Sequence, residues 1–293
     1  MNLSQRIIDL YDEFTHGGMS RRSFFDQLAK LAGSTTAATA LLPMLQNDYA
    51  KAAIVPDIDA RLVSERVSFE SPKGRINGYL TRLAAKGKRP AVLVIHENRG
   101  LNPHLEDIAR RLALEGFLAY AVDLLSLVGG TPSIEDEARA LHTKLNIDDA
   151  LVALIAAVEF LKKNPESSGK VGAVGFCFGG GMVNRLAVAS PDLDAAVAYY
   201  GPQPPAAAVP NIKAPLLLHY AGNDAGINSG IAAYEAALKA NNKTYAIYTY
   251  PDVQHAFNND TGAARYNKEA ADLAWGRTLA FFREKLGAPP KAS

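Results

Sequence analysis

"VGAVGFCFGGGM", residues 171–182, carries an apolar strand-like run into a glycine and then the chain's only cysteine. Three more glycines follow within four residues. A structural cysteine behaves as a small hydrophobe and sits on the packed face of a strand or helix. Cys177 stands instead between a strand-like run, Lys170 to Phe176, and a helix-like one beginning near Met182, where the backbone is freest. "GFCFG" fits the pattern Gly-x-nucleophile-x-Gly, a sharp strand-to-helix turn that leaves no room for side chains on either side. That turn belongs to a sheet whose strands alternate with helices. The chain on both sides of it reads the same way.

Upstream, "AVLVIH" (91–96) and "FLAYAVD" (117–123) read as strands separated by a helix near 103–115. Downstream come "AAVAYYG" (195–201), "PLLLHYAG" (215–222) and "TYAIYTY" (244–250), with helices expected near 229–241 and 264–286. A longer helical stretch spans about 134–163, with a break at "LNIDD". The strands are continuously apolar, as expected when helices cover both faces of a parallel sheet. "RVSFES" and "RINGYLTR" flank Pro72-Lys73-Gly74 and read as an antiparallel opening hairpin. The fold class is therefore α/β, a doubly wound, mostly parallel sheet with right-handed crossovers.

Composition sets the outer limits. The chain has 293 residues, 48% hydrophobic and 21% charged, with a formal net charge of +1. No basic stripe offers a surface for nucleic acid. No apolar run approaches the ~20 residues of a membrane span. A single cysteine excludes an intramolecular disulfide, and the histidine spacing offers no metal site.

Residues 1–55 differ from the catalytic stretch, 56–293, and read as an N-terminal extension. "SRRSFFDQLAKLAGSTTAATALLPML" pairs Arg21 and Arg22 ahead of a small-residue segment, and "YAKA" suits a cleavage site ending at Ala52. This resembles a twin-arginine export signal. Asp26 and Lys30, placed where an apolar core should begin, favour the other reading: an amphipathic helix over 22–32 docked by Phe24, Phe25, Leu28 and Leu31. A reactive thiol favours the reducing cytoplasm, and the arginine pair leaves periplasmic export open.

In doubly wound sheets, ligands bind beyond the carboxyl ends of the strands. The strand ends here carry His96-Glu97-Asn98, Cys177, Tyr199-Tyr200, Asp224 and His255. Cys177, Asp224 and His255 follow in the order nucleophile, acid, histidine. In that arrangement His255 takes the thiol proton and Asp224 fixes its tautomer. A helix beginning after Cys177 favours thiolate over thiol. The backbone N–H of Phe178 can donate to an oxyanion, and Asn98 supplies the second N–H from the loop after strand 91–96. Taken singly, each feature has a plainer reading: a phosphate loop at "GFCFGGG", a turn aspartate at 224, a loop histidine at 255. Their joint order at successive strand ends favours the triad.

"GFCFGG", "AGNDAGI" and "VQHAFNN", together with "VLVIHENRGLNPHLEDIARRLALEGFLAYAVDL", resemble the dienelactone hydrolase family of α/β-hydrolases over roughly residues 67–286. The resemblance implies the α/β-hydrolase fold, a small ester or lactone as substrate, a cysteine thiol ester intermediate and no cofactor. It also implies that Glu97 contacts the thiol and helps to generate the thiolate. The plainer role for Glu97 is a salt bridge to Arg99 or another arginine. Family members that cleave the dienelactone carry arginines for its carboxylate, one soon after the histidine. Here "HAFNND" has Asn258 and Asn259, and "LLSLVGGTP" has no arginine, so an uncharged ester or lactone is expected. Tyr199 and Tyr200 are expected to line the pocket. Two other functions remain open at this point: an acyltransferase using the same triad, and a non-enzymatic small-molecule binding protein with a degenerate site.

Overall fold

The computed structural model describes residues 4–16, 19–49 and 53–289; the expected cleavage position at Ala52 lies outside them. Three helices come first: α1 (Gln5–His16), α2 (Arg21–Ala32) and α3 (Thr35–Leu45). There follow β1 (Leu62–Ser71), β2 (Gly74–Leu83), β3 (Arg89–Ile95), α4 (Pro103–Leu114), β4 (Leu118–Asp123), α5 (Glu135–His142) and α6 (Ile147–Lys163). The second half holds β5 (Ser167–Phe176), α7 (Phe178–Ala189), β6 (Ala195–Tyr199), β7 (Leu216–Asn223), α8 (Ala225–Asn228), α9 (Ile231–Ala240), β8 (Tyr245–Gln254) and α10 (Lys268–Leu286).

One sheet takes all eight strands in the order β1-β2-β4-β3-β5-β6-β7-β8. β1–β2 and β2–β4 pair antiparallel and the remaining neighbours parallel, as the hairpin and the apolar strands predict. The chain leaves β3 toward β4 on one side and returns to β5 on the other. The crevice between the carboxyl ends of β3 and β5 is thus the switch point where doubly wound sheets hold ligands.

β3 explains how the sheet is held. All seven of its residues are buried. Leu93 and Ile95 point into the layer beneath α6, α7 and α9, while Val92 and Val94 point into the layer beneath α4 and α10. At roughly 1.5–3 kcal/mol for each fully buried large aliphatic side chain, both layers draw on this one strand. The long helical stretch does break, between His142 and Ile147, and Asn146 caps α6 by accepting from the amides of Asp148 and Asp149. β8 runs on through Pro251 to Gln254, farther than expected. As an edge strand it has one side on which a missing N–H costs no ladder bond.

The extension is helical, and Ser20 caps α2 through its hydroxyl to the Ser23 amide. Its apolar stripe is narrower than the sequence suggests. Phe24 and Leu28 are buried, Phe25 is half-buried, and Leu31 remains 43% exposed. The stripe also packs mainly on its sister helices rather than on the sheet domain: Phe24 stacks on Phe14 at 4.4 Å and leans on Tyr11. It is α1 that docks. Arg21 pairs with Asp136 at the surface, a contact worth at most about 1 kcal/mol. Among the described residues no helix is long and apolar enough to cross a membrane.

Leu28, at 0% exposure, holds the three helices together. Leu28→Ala should weaken that unit by about 2–5 kcal/mol, whereas Leu31→Ala should change stability by no more than about 0.5 kcal/mol. Hydrogen exchange is the measurement: amides of residues 5–45 should exchange faster in the first variant while those of β5 do not.

Candidate active site

The site grows out of a backbone constraint at Cys177. Its φ of 55° and ψ of −116° lie in a region that L-residues rarely adopt. The strain is held from both sides: the Cys177 amide donates to the Tyr199 carbonyl at 3.0 Å, and the Gly181 amide donates to the Cys177 carbonyl at 3.1 Å. The flanking glycines are required by close approach. A Cβ on Gly179 would run into the carbonyls of Ile95 and His96, and one on Gly175 into the backbone of Gly179. Backbone strain of this kind costs of order 1–3 kcal/mol per residue and persists only where the surroundings enforce it. Two more left-handed non-glycine residues stand nearby, Tyr200 with φ 38° and Ala256 with φ 65°.

Asp224 and His255 arrive from the ends of β7 and β8. The two strands stay paired to Asn223 and Gln254 across a register shift, which brings the next residue of each chain to one place. His255 Nδ1 lies 2.6 Å from Asp224 Oδ2, with both side chains buried. The other oxygen, Asp224 Oδ1, accepts from the Ile227 amide at 3.4 Å and caps α8. Cys177, Phe178, Asp224, His255, Asn98 and Tyr200 all face one cavity of about 830 Å³.

Tyr200 and Tyr199 part company. Tyr200 lines the cavity, with its ring 4.9 Å from that of His255. Burial first, and then the neighbouring acidic groups Glu97 and Cys177, push the Tyr200 phenol well above its ordinary range. Tyr199 turns the other way, and its hydroxyl meets Thr278 Oγ1 at 2.7 Å. It packs the core and does not reach the cavity.

The loop after β3 is held by residues scattered through the chain. His96 Nδ1 meets the Glu97 carbonyl at 2.5 Å, while Nε2 accepts from the Leu124 amide at 3.1 Å. Burial lowers the His96 pKa, so the ring is neutral with its proton on Nδ1. Asn98 Nδ2 donates to the Thr15 carbonyl of α1 at 2.7 Å. Glu97 is buried, and its Oε2 accepts from Asn259 Nδ2 at 2.8 Å. Arg99 turns to Glu135 Oε1 at 3.3 Å and to the Tyr11 hydroxyl at 3.2 Å, not to Glu97. Burial opposes the Arg99 charge, but the combined fields of Tyr11, Glu135, Tyr49 and Glu97 raise its pKa. The hydrogen-bond partner of the Glu97 carboxyl is thus a neutral amide.

Several cavity residues escaped the sequence reading. His142 of α5 lies edge-on to Phe178 with ring centroids 4.4 Å apart. Arg139 and Arg265 also line the cavity, so it does contain guanidinium groups despite the asparagines at 258 and 259. Both lean on α1: Arg139 lies 3.8 Å from the Phe14 ring centroid, and Arg265 Nη1 donates to Asp12 Oδ1 at 3.2 Å. Neither arginine stands near enough in sequence to the strand ends to be noticed.

Known proteins with the same organisation were found by comparison. A model described as the dienelactone hydrolase family matches residues 76–286, and one described as YqhI-like matches residues 2–33. A protein of Escherichia coli strain K12 named "Putative carboxymethylenebutenolidase" is 31% identical over 263 residues, spanning 83% of this chain and 97% of that one. A protein of the same name from Saccharolobus solfataricus is 30% identical over 259 residues, spanning 75% of this chain and 98% of the other. The crystal structure described as a putative dienelactone hydrolase from Klebsiella pneumoniae superimposes with a TM-score of 0.69 at 31% identity, covering 76% of this chain and 99% of that one.

One histidine beneath the site gives a test of the packing. His219 of β7 is fully buried, meeting the Tyr250 hydroxyl at 2.9 Å and Thr278 Oγ1 at 3.2 Å. Burial, with Arg277 nearby, pushes its pKa down to about 3 from an ordinary value of 6.5. The unfolded chain thus binds a proton that the folded one refuses. The stability that this neutral ring contributes is complete above about pH 6.5 and is lost as pH falls toward 3, at up to about 1.4 kcal/mol per unit. Urea unfolding between pH 4 and 6 should show that slope in the wild type and a shallower one in His219→Gln.

Proposed function

Because this chain belongs to the dienelactone hydrolase family, we propose that it hydrolyses a small uncharged carboxylic ester or lactone through a cysteine thiol ester. The observation that carries the reading is the 2.6 Å His255–Asp224 contact, facing the same cavity as a cysteine held at a strained helix start. With Asp224 on Nδ1, proton exchange with the thiol falls to His255 Nε2.

His255 takes the proton from Cys177 as the sulfur adds to the ester carbonyl. The carbonyl oxygen becomes an oxyanion that accepts from the backbone N–H groups of Phe178 and Asn98. Collapse expels the alcohol oxygen, which leaves with the proton from His255; in a lactone it stays tethered to the acyl chain. Water then attacks the thiol ester with His255 as base. The carboxylic acid departs and the thiol is restored. Asp224 stabilises the imidazolium in both halves. Glu97, in the loop beside the elbow, is assigned the control of Cys177: a charged carboxylate brought up to the sulfur would disfavour the thiolate until substrate arrives.

An uncharged substrate is supported by the cavity wall, where Asp9, Asp12, Glu13 and Asp136 outnumber Arg139 and Arg265. The docked helices and the reactive thiol together support an extension retained on the working enzyme in the cytoplasm. Sequencing the amino terminus of protein recovered from its native host tests this: an intact start near Met1 is expected, and a start near Ala53 would mean export.

Turnover of a panel of chromogenic esters and lactones tests the chemistry. Cys177→Ala, His255→Ala and Asp224→Asn should each lower kcat by roughly 10³- to 10⁶-fold, with losses that do not multiply in double variants. Multiplying losses would show that the residues do not act as a unit. Glu97→Gln should make iodoacetamide alkylation of Cys177 faster near neutral pH while ester turnover falls. Slower alkylation would overturn the role given to Glu97.

A further inference from the structure

The dienelactone hydrolase match covers residues 76–286, yet one wall of the cavity comes from outside it. Ile8, Asp9, Asp12, Glu13 and Thr15 of α1 face the same space as Cys177 and His255. The most consequential contact on that wall is between α1 and Arg265. The guanidinium of Arg265, its side chain only 4% exposed, donates from Nη1 to Asp12 Oδ1 at 3.2 Å and lies 5.3 Å from the centroid of the Tyr11 ring. Asp12 itself is 33% exposed, so the pair sits where the cavity meets solvent. A nearly buried guanidinium facing a reaction cavity is, on its chemistry alone, a receptor for a carboxylate. Here that capacity is taken up by a carboxylate of the same chain. The other cavity guanidinium, Arg139, is occupied too: it donates to the Phe14 carbonyl at 2.7 Å, stacks on the Phe14 ring and stands 3.7 Å from Asp136.

We propose that α1 is a specificity-determining element of the active site: Asp12 holds Arg265 in an ion pair and so denies the cavity the cation with which it would bind carboxylate-bearing esters. The inference rests on the hydrolase reading above. It assigns Asp12 and Arg265 a part in substrate selection, not in the bond-making steps. An acyl chain ending in a carboxylate must displace Asp12 before it can reach Arg265, whereas an uncharged chain meets a neutralised wall. Removing the Asp12 charge leaves the guanidinium to be satisfied by the substrate. A charge-assisted pair of this kind is worth about tenfold or more in kcat/KM.

The experiment compares p-nitrophenyl hexanoate with the p-nitrophenyl monoester of adipic acid, two six-carbon acyl chains that differ by a terminal carboxylate. The readout is the ratio of kcat/KM for the two, which does not depend on how much of a variant is folded. Asp12→Asn in the full chain should shift the ratio toward the adipate ester by about tenfold, chiefly through KM, and Asp12→Glu should restore it. Adding Arg265→Gln to Asp12→Asn should abolish the shift. A ratio within twofold of wild type in Asp12→Asn, or a shift that survives loss of Arg265, overturns the proposal. Should Asp12→Asn fail to fold, Arg265→Gln alone decides. It should move the ratio by less than twofold, and a selective loss of adipate turnover would show that the guanidinium already binds anions. A wild-type enzyme that turns over neither ester would bring down the hydrolase reading itself. Turnover of hexanoate with an insensitive ratio brings down only the role of α1.

Discussion

Everything at the active site depends on the chain being able to turn at Cys177 in a conformation that disfavours every residue but glycine. The turn can exist because Gly175 and Gly179 let three backbone segments approach more closely than any side chain would permit. The sulfur therefore stands clear of the sheet at the head of α7, where the helix start favours negative charge. Tight backbone packing, not side-chain chemistry, is the first requirement of this site. The hydrogen bonds from Cys177 to Tyr199 and from Gly181 to Cys177 lock what the packing allows.

The same packing fixes the other participants at a distance. The carbonyls of Ile95 and His96 that crowd Gly179 belong to the segment that presents Glu97 and Asn98, so the elbow and the β3 loop cannot move independently. β7 and β8 complete the arrangement by pairing again, past a register shift, at the residue before Asp224 and the residue before His255. Rigid strands thus deliver groups from four separate stretches of chain to one cavity. Positioning by such a scaffold is what lets short loops carry precise chemistry.

How much of this was legible beforehand follows from the range of the interactions concerned. The elbow, the strand ends and the order of the triad are local patterns, and each could be read from a few consecutive residues. Sequence alone does not say which of the adjacent residues Tyr199 and Tyr200 reaches the cavity: β6 ends at Tyr199, and it is the left-handed backbone of the next residue that brings the Tyr200 ring beside His255. Arg265 sits ten residues beyond the histidine and acquires meaning only beside Asp12. His142 lies within a helix and gains its place at the site only because the fold lays it against Phe178. The apolar stripe of α2 was recognisable, but its partner was not: periodicity says which face is buried and not what buries it.

The ion pair between Asp12 and Arg265 joins residues 253 positions apart. A ribosome makes one of them near the start of the chain and the other near its end. At ~5–20 residues per second, α1 waits roughly 13 to 50 s for its partner to be synthesised. During that interval Phe14, Phe24 and Leu28 have one another to bury against, since the three helices form an apolar cluster largely of their own. The nascent amino terminus can thus shelter its hydrophobic surface early, and the cavity acquires its last wall only when translation has passed Arg265.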